Sequence, residues 1–240
     1  CRGIGTSTPD LPGHNATVLN VSATGGDFYP QLILAGNRGA GGNQHATINF
    51  WNTSGTDTEC ARITASNTAA SAVYGTLAFY TKGAGGLAQS MFMNEDGAVT
   101  KPLQPAFLVA PSTLQENVPV ATTVIVFGSE IFDQGGDFTS NTFTAPVAGR
   151  YQFNANIYLT GFDVSSDYVS IYFVTSNRSY EMINTSTVMG ASDPTYTSMV
   201  LSALTDMDAS DTCYMNVVQS GGAAQMDITV TSRFSGFLAC

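Results

Sequence analysis

The sequence predicts an all-β protein built from two β-rich regions, and three observations carry that reading. Charged residues make up only 11% of the chain and lysine is confined to Lys82 and Lys101, so the Glu/Lys/Leu spacing of long helices is missing. Thr, Ser, Ala, Asn, Gly and Val take their place, which is strand-and-turn composition. Short apolar-alternating runs recur between glycine turns, and no segment sustains a 3.6-residue period.

Residues 1–20 are rich in Gly, Thr, Pro and Asn, with Pro9 and Pro12, and read as an extended lead-in. Residues 21–104 follow as a β-rich region. Strands are expected at 31–35, 46–51, 61–65, 76–81 and 90–94, separated by turns such as Gly39-Ala40-Gly41-Gly42 and Lys82-Gly83-Ala84-Gly85-Gly86. Ile48-Asn49-Phe50-Trp51 is echoed by Leu77-Ala78-Phe79-Tyr80 about 30 residues later, a spacing that suggests stacked β units. Each strand offers too few apolar side chains for an isolated sheet to bury a core. Three chains sharing an axial core would solve this, and a small monomeric sandwich is the plainer alternative. Lys101-Pro102-Leu103-Gln104-Pro105 marks the boundary, because two prolines in so short a run block continuous pairing.

Residues 105–240 read as a sandwich of regularly spaced strands. Strands are expected at 106–109 and 122–127, then between Phe138 and Phe143. The run 149–159 places Tyr151, Phe153, Ala155, Ile157 and Leu159 on one face and Gln152, Asn154 and Asn156 on the other. Further strands are expected at 168–174, 199–204, 213–218 and 228–238.

Thr142-Phe143-Thr144-Ala145-Pro146-Val147-Ala148-Gly149-Arg150-Tyr151-Gln152-Phe153, answered by Phe234-Ser235-Gly236-Phe237-Leu238, resembles the signature of C1q-like domains. These are trimeric jelly-roll heads related to the tumour necrosis factor fold, and the resemblance runs over 105–240. It implies that the first and last strands lie side by side, making 234–238 a central strand. Gly236 would then be needed where a neighbouring backbone or ring comes close. The region upstream resembles shaft segments of phage tail fibres and spikes, through Leu77-Ala78-Phe79-Tyr80-Thr81 and Met91-Phe92-Met93-Asn94-Glu95-Asp96-Gly97-Ala98-Val99. It departs from them in placing Phe92 where arginine is common. Together the resemblances imply a homotrimeric fibre or spike of a virus, with a β-rich shaft and a knob that binds a host surface glycan or protein. Its N-terminus would join other virion proteins, and its place would be the virion surface. A non-viral extracellular C1q-like module, or a knob that serves only as a trimerisation clamp, are the alternatives.

A net charge of −10 and a pI near 4.3 argue against nucleic acid as a partner. No apolar run reaches membrane-spanning length. Enzymatic chemistry is not expected: His14 and His45 both precede the head, and no nucleophile elbow, zinc-binding helix or phosphate loop occurs. No cofactor is required. Calcium is the one ligand the resemblance implies, through Asp193 in Gly190-Ala191-Ser192-Asp193-Pro194. One carboxylate falls short of the roughly six to eight oxygens calcium takes, although threefold symmetry would supply three. A solvated loop aspartate is the plain reading. Asp206, Asp208 and Asp211 read as a polar turn. The family topology puts the loops 161–167, 187–197 and 219–225 at the apex, with Phe162, Met189 and Tyr196 as candidate receptor contacts. Cys213 and Cys240 are open to two readings, buried thiols or a disulfide.

Overall fold

The computed structural model describes residues 44–52, 58–67, 74–185 and 190–240. The expected lead-in at 1–20 and the strand at 31–35 lie outside the described residues. The chain divides into two compact units, Cys1–Thr100 and Lys101–Cys240.

The first unit carries an antiparallel meander in chain order. It comprises β1 (Gln44–Asn52), β2 (Thr58–Asn67), β3 (Gly75–Gly83), β4 (Gly86–Met93) and the short β5 (Val99–Thr100). Alternation sets the register: Ile48, Ile63, Phe79 and Met91 fall in one row across four strands. The β3–β4 pairing runs to Gly83 opposite Gly86, so the loop expected over 82–86 is a tight turn with Gly86 at φ 110°. Of the described side chains in this sheet only Thr64 and Ala78 are buried, while Ile48, Phe50 and Trp51 are exposed. Among the described residues no second layer covers this sheet, so its apolar row is left without a core.

The second unit is a two-sheet sandwich. Its strands are β6 (Ala106–Ala110), β7 (Thr122–Val124), β8 (Ser129–Gln134), β9 (Phe138–Thr139), β10 (Thr142–Thr144) and β11 (Gly149–Thr160). They continue with β12 (Ser166–Thr175), β13 (Ser179–Thr185), β14 (Tyr196–Met207), β15 (Thr212–Gly221), β16 (Asp227–Ile228) and β17 (Arg233–Leu238). One sheet has the order β14-β11-β17-β6-β8, with β16 on β11; the other has β13-β12-β15-β10-β9, with β7 on β15. All pairings are antiparallel and most neighbours are distant in sequence, as in a jelly roll. The first and last strands of the unit, β6 and β17, pair directly, and β17 lies between β6 and β11.

The alternation of β11 decides its orientation. Tyr151, Phe153, Ala155, Ile157 and Leu159 are buried while the polar residues between them face outward. The rings of Phe107, Phe143, Phe153 and Phe234 meet at the centre, with Phe107 5.1 Å from Phe143 and 5.0 Å from Phe234. Gly236 sits under this cluster: a Cβ there would lie 2.5 Å from the Phe153 ring and 2.7 Å from that of Phe107. The Pro146–Gly149 corner is tied by Tyr151, whose hydroxyl donates to the Val147 carbonyl at 2.8 Å.

Several elements differ from the sequence reading. The strand expected at 122–127 ends at Val124. Beyond it Ile125 N donates to Met215 O, whereas Val126 N and Phe127 N donate to the side chains of Gln115 and Asn141. The single strand expected between Phe138 and Phe143 is a hairpin, β9 and β10, turned at Ser140 and Asn141, both at positive φ. The run 228–238 is broken at 229–232 into β16 and β17. The edge strands β8 and β13 had no counterpart in the expectations.

Candidate functional site

Two surfaces of the head bring residues together in ways that could serve recognition: the loop cluster at one end and the outer face of the β14–β11–β17 sheet. The loop cluster joins the segments after β11, before β14 and after β15. Gly161, at φ 65°, turns the chain against the Gln225 carbonyl. Phe162, expected as an exposed apex contact, is instead 1% exposed within the core. Turning inward removes its ring from water at the end of the sandwich, a gain of about 1.5–3 kcal/mol, so it cannot touch a receptor.

Asp193 is exposed and does organise this end. Its Oδ1 accepts from Val164 N at 3.0 Å and its Oδ2 from Gln225 Nε2 at 3.2 Å, so one carboxylate fastens three loops. Asp163 does parallel work. Its Oδ1 accepts from Ser165 N at 2.7 Å and its Oδ2 from Ala223 N at 2.6 Å. Those backbone bonds hold its carboxyl below the usual aspartate range. Gln219, 2% exposed, donates to Ser166 Oγ and to the carbonyls of Gly221 and Ala223. Asp163 and Gln219 were missed in the sequence, where the only available signal was a polar residue beside a Gly turn. Among the described residues no group of three or more His, Cys, Asp or Glu side chains is arranged to hold a metal ion. Met189 lies outside the described residues.

Tyr196 is not on a loop. It opens β14, is 61% exposed and stacks on Tyr158 at 5.6 Å with its ring tilted by 29°. Strand alternation then carries Val200 and Leu204 to the same face, also more than half exposed. Phe237 on β17 is exposed in the row that runs through Gln152 to Leu204. Between these apolar edges lies a closed polar stripe. Gln152 Nε2 donates to Ser202 Oγ at 2.9 Å, and Ser202 Oγ donates to Asn154 Oδ1 at 2.9 Å.

At the opposite end Asp208 and Asp211 flank the polar turn expected of this segment, while Asp206 lies on β14. Arg178 pairs with Asp206 at 2.8 Å, and Asp211 Oδ2 accepts from Asp208 N and from Asn177 Nδ2. Cys213 is a free, fully buried thiol whose pKa burial pushes up, whereas Cys240 is free and exposed just beyond β17.

A jelly-roll head with both ends pinned by carboxylates and one apolar sheet face is thus the class of module these elements define. The model of the C1q domain matches residues 106–239, and the chain belongs to the C1q domain family. Among solved structures, the globular domain of zebrafish complement 1qA protein is 21% identical, with 57% of this chain and 98% of that chain covered at a TM-score of 0.42. Murine APRIL at pH 8.0 is 10% identical, with 56% and 98% covered and a TM-score of 0.42. Murine APRIL at pH 8.5 is 7% identical, with the same coverage and a TM-score of 0.41. No curated protein matches the chain. No enzymatic family is indicated, and among the described residues no helix is long and apolar enough to cross a membrane.

Proposed function

We propose that this protein is a homotrimeric extracellular adhesion module, the shaft-and-knob component of a viral fibre or spike whose head binds a host surface ligand. The observation that carries the trimer is the apolar face of β14 and β17. A sheet face with Tyr196, Val200, Leu204 and Phe237 all exposed is costly on a lone domain and favourable once three copies cover one another. Three heads also multiply weak contacts into avidity. The fibre reading is supported by the upstream sheet, whose apolar row lacks a partner layer within its own described residues. The bundle of loops fastened by Asp193 and Asp163 supports recognition on a rigid platform.

Light scattering on the intact chain tests the assembly. A mass of three chains is expected, and Val200→Asp with Leu204→Asp should reduce it to one. A monomeric wild type would overturn the reading. Repeating the measurement in EDTA bears on calcium: dissociation would assign Asp193 as a ligand, and an unchanged mass would leave it the fastener of loops. Adhesion is checked separately by retention of labelled protein on intact host cells.

A further inference from the structure

The outer face of the second sheet holds a trough that neither the loops nor the β14 face employs. It crosses from Thr122 on β7 to Ser179 on β13 and encloses about 380 Å³, open to solvent, within the roughly 300–1,000 Å³ of small-molecule clefts. Its walls mix rings and aliphatic side chains, Tyr168, Tyr172 and Val174 from β12 and Val218 from β15, with the hydroxyl residues Thr122 and Ser179 at its two ends. Its one amide is Asn216, whose Oδ1 is buried and accepts no hydrogen bond. In register Asn216 lies opposite Tyr172, yet the Tyr172 hydroxyl donates the other way, to Glu181 Oε1 on β13. The Tyr172 hydroxyl is therefore committed elsewhere, and an amide oxygen buried without a donor is a costly state that a ligand hydroxyl would relieve once the Asn216 side chain turns toward the trough.

The lining also says which ligand. Among the described residues no lysine or arginine lines the trough, and Glu181 stands beside Tyr172, so these walls offer phosphate, sulfate and carboxylate no counter-charge. The trough lies across the strands rather than along an edge, which removes the backbone ladder that an extended peptide uses. What remains is a ligand with an apolar C–H face and hydroxyls that donate. We propose that the trough binds a neutral saccharide unit, with one ring face against the tyrosines and a hydroxyl donating to Asn216 Oδ1. The site deepens the proposed adhesion and rests on the head being a binding module, but not on its trimerisation. It lies on the sheet opposite the one proposed to self-associate, so assembly leaves it free.

Saturation-transfer NMR on the full chain, with the methyl glycosides of glucose, galactose, mannose, N-acetylglucosamine and N-acetylgalactosamine, provides the test. At least one glycoside should show transfer concentrated on one ring face. Ser179→Trp, which fills the trough from an exposed rim position, should abolish it. Asn216→Leu should weaken binding by about tenfold or more. Both variants should keep the wild-type native mass, and the rim variant guards against a folding defect at Asn216. The proposal is overturned if none of the five shows transfer, or if transfer survives Ser179→Trp. Transfer that survives there but disappears in Ala223→Trp would move recognition to the loops, sinking the trough while sustaining the adhesion module.

Discussion

At Gly236 the backbone of β17 passes under two phenyl rings with no room for one more carbon. Phe107 and Phe153 are both fully buried among other aromatics, so neither can swing aside without opening a void. Gly236→Ala should therefore destabilise the head by about 1–3 kcal/mol, read as a lower urea midpoint at unchanged slope. Asp163 gives a pH prediction. Its carboxyl is held below the ordinary value of 3.8 by the amides of Ser165 and Ala223. A lowered folded pKa contributes stability that is present above the unfolded value and is lost as pH falls through the folded one. Hydrogen exchange at Ser165 and Ala223, normalised for the intrinsic rate, should therefore accelerate below about pH 3.8. Asp163→Asn should flatten that acid dependence. Asp137 runs opposite: burial first, then the nearby Asp133, raise its pKa, so its contribution favours the fold as pH drops. Residue-resolved exchange keeps the two apart.

At the scale of elements, the β9–β10 hairpin joins turn chemistry to core packing. Asn141 holds φ 66° and its Oδ1 accepts from Phe127 N at 2.7 Å, fixing the segment that carries Phe127 into the core. Asn141→Gly keeps the backbone conformation and loses the hydrogen bond. Asn141→Ala loses both and adds about 1–2 kcal/mol of left-handed strain. Thermal midpoints should fall in the order wild type, Asn141→Gly, Asn141→Ala. This turn escaped the sequence reading because Ser-Asn is a weaker hairpin signal than Asn-Gly. β11 was legible because five apolar residues alternate without a break, whereas the central place of β17 followed from the C1q-like resemblance, with the close approach at Gly236 as its consequence. β8 and β13 are edge strands with a neighbour on one side only, so less of their pattern is constrained. The Phe162 expectation failed for a related reason: sequence shows that a residue follows a Gly turn, not which way the turn aims it. The trough could not be read at all, since its residues come from four strands and each looks like an ordinary outward position.

For the whole molecule, the two units should differ in what they need in order to fold. Residues 101–240 enclose a core of more than a dozen fully buried apolar side chains, Phe107, Tyr151 and Phe234 among them, ample for a domain of that size. The described residues of 44–100 form a single sheet that buries only Thr64 and Ala78, and a sheet face must pack against another layer to bury its apolar side. Residues 101–240 expressed alone should therefore give a cooperative thermal transition. A segment ending at Thr100 should stay unfolded or aggregate unless a trimerising sequence is fused after it. If that fused segment refolds to a soluble trimer with a cooperative transition of its own, the head acts on the upstream sheet by bringing three copies into register. A segment that folds as a monomer would remove the shared core, and the fibre reading of the upstream region with it.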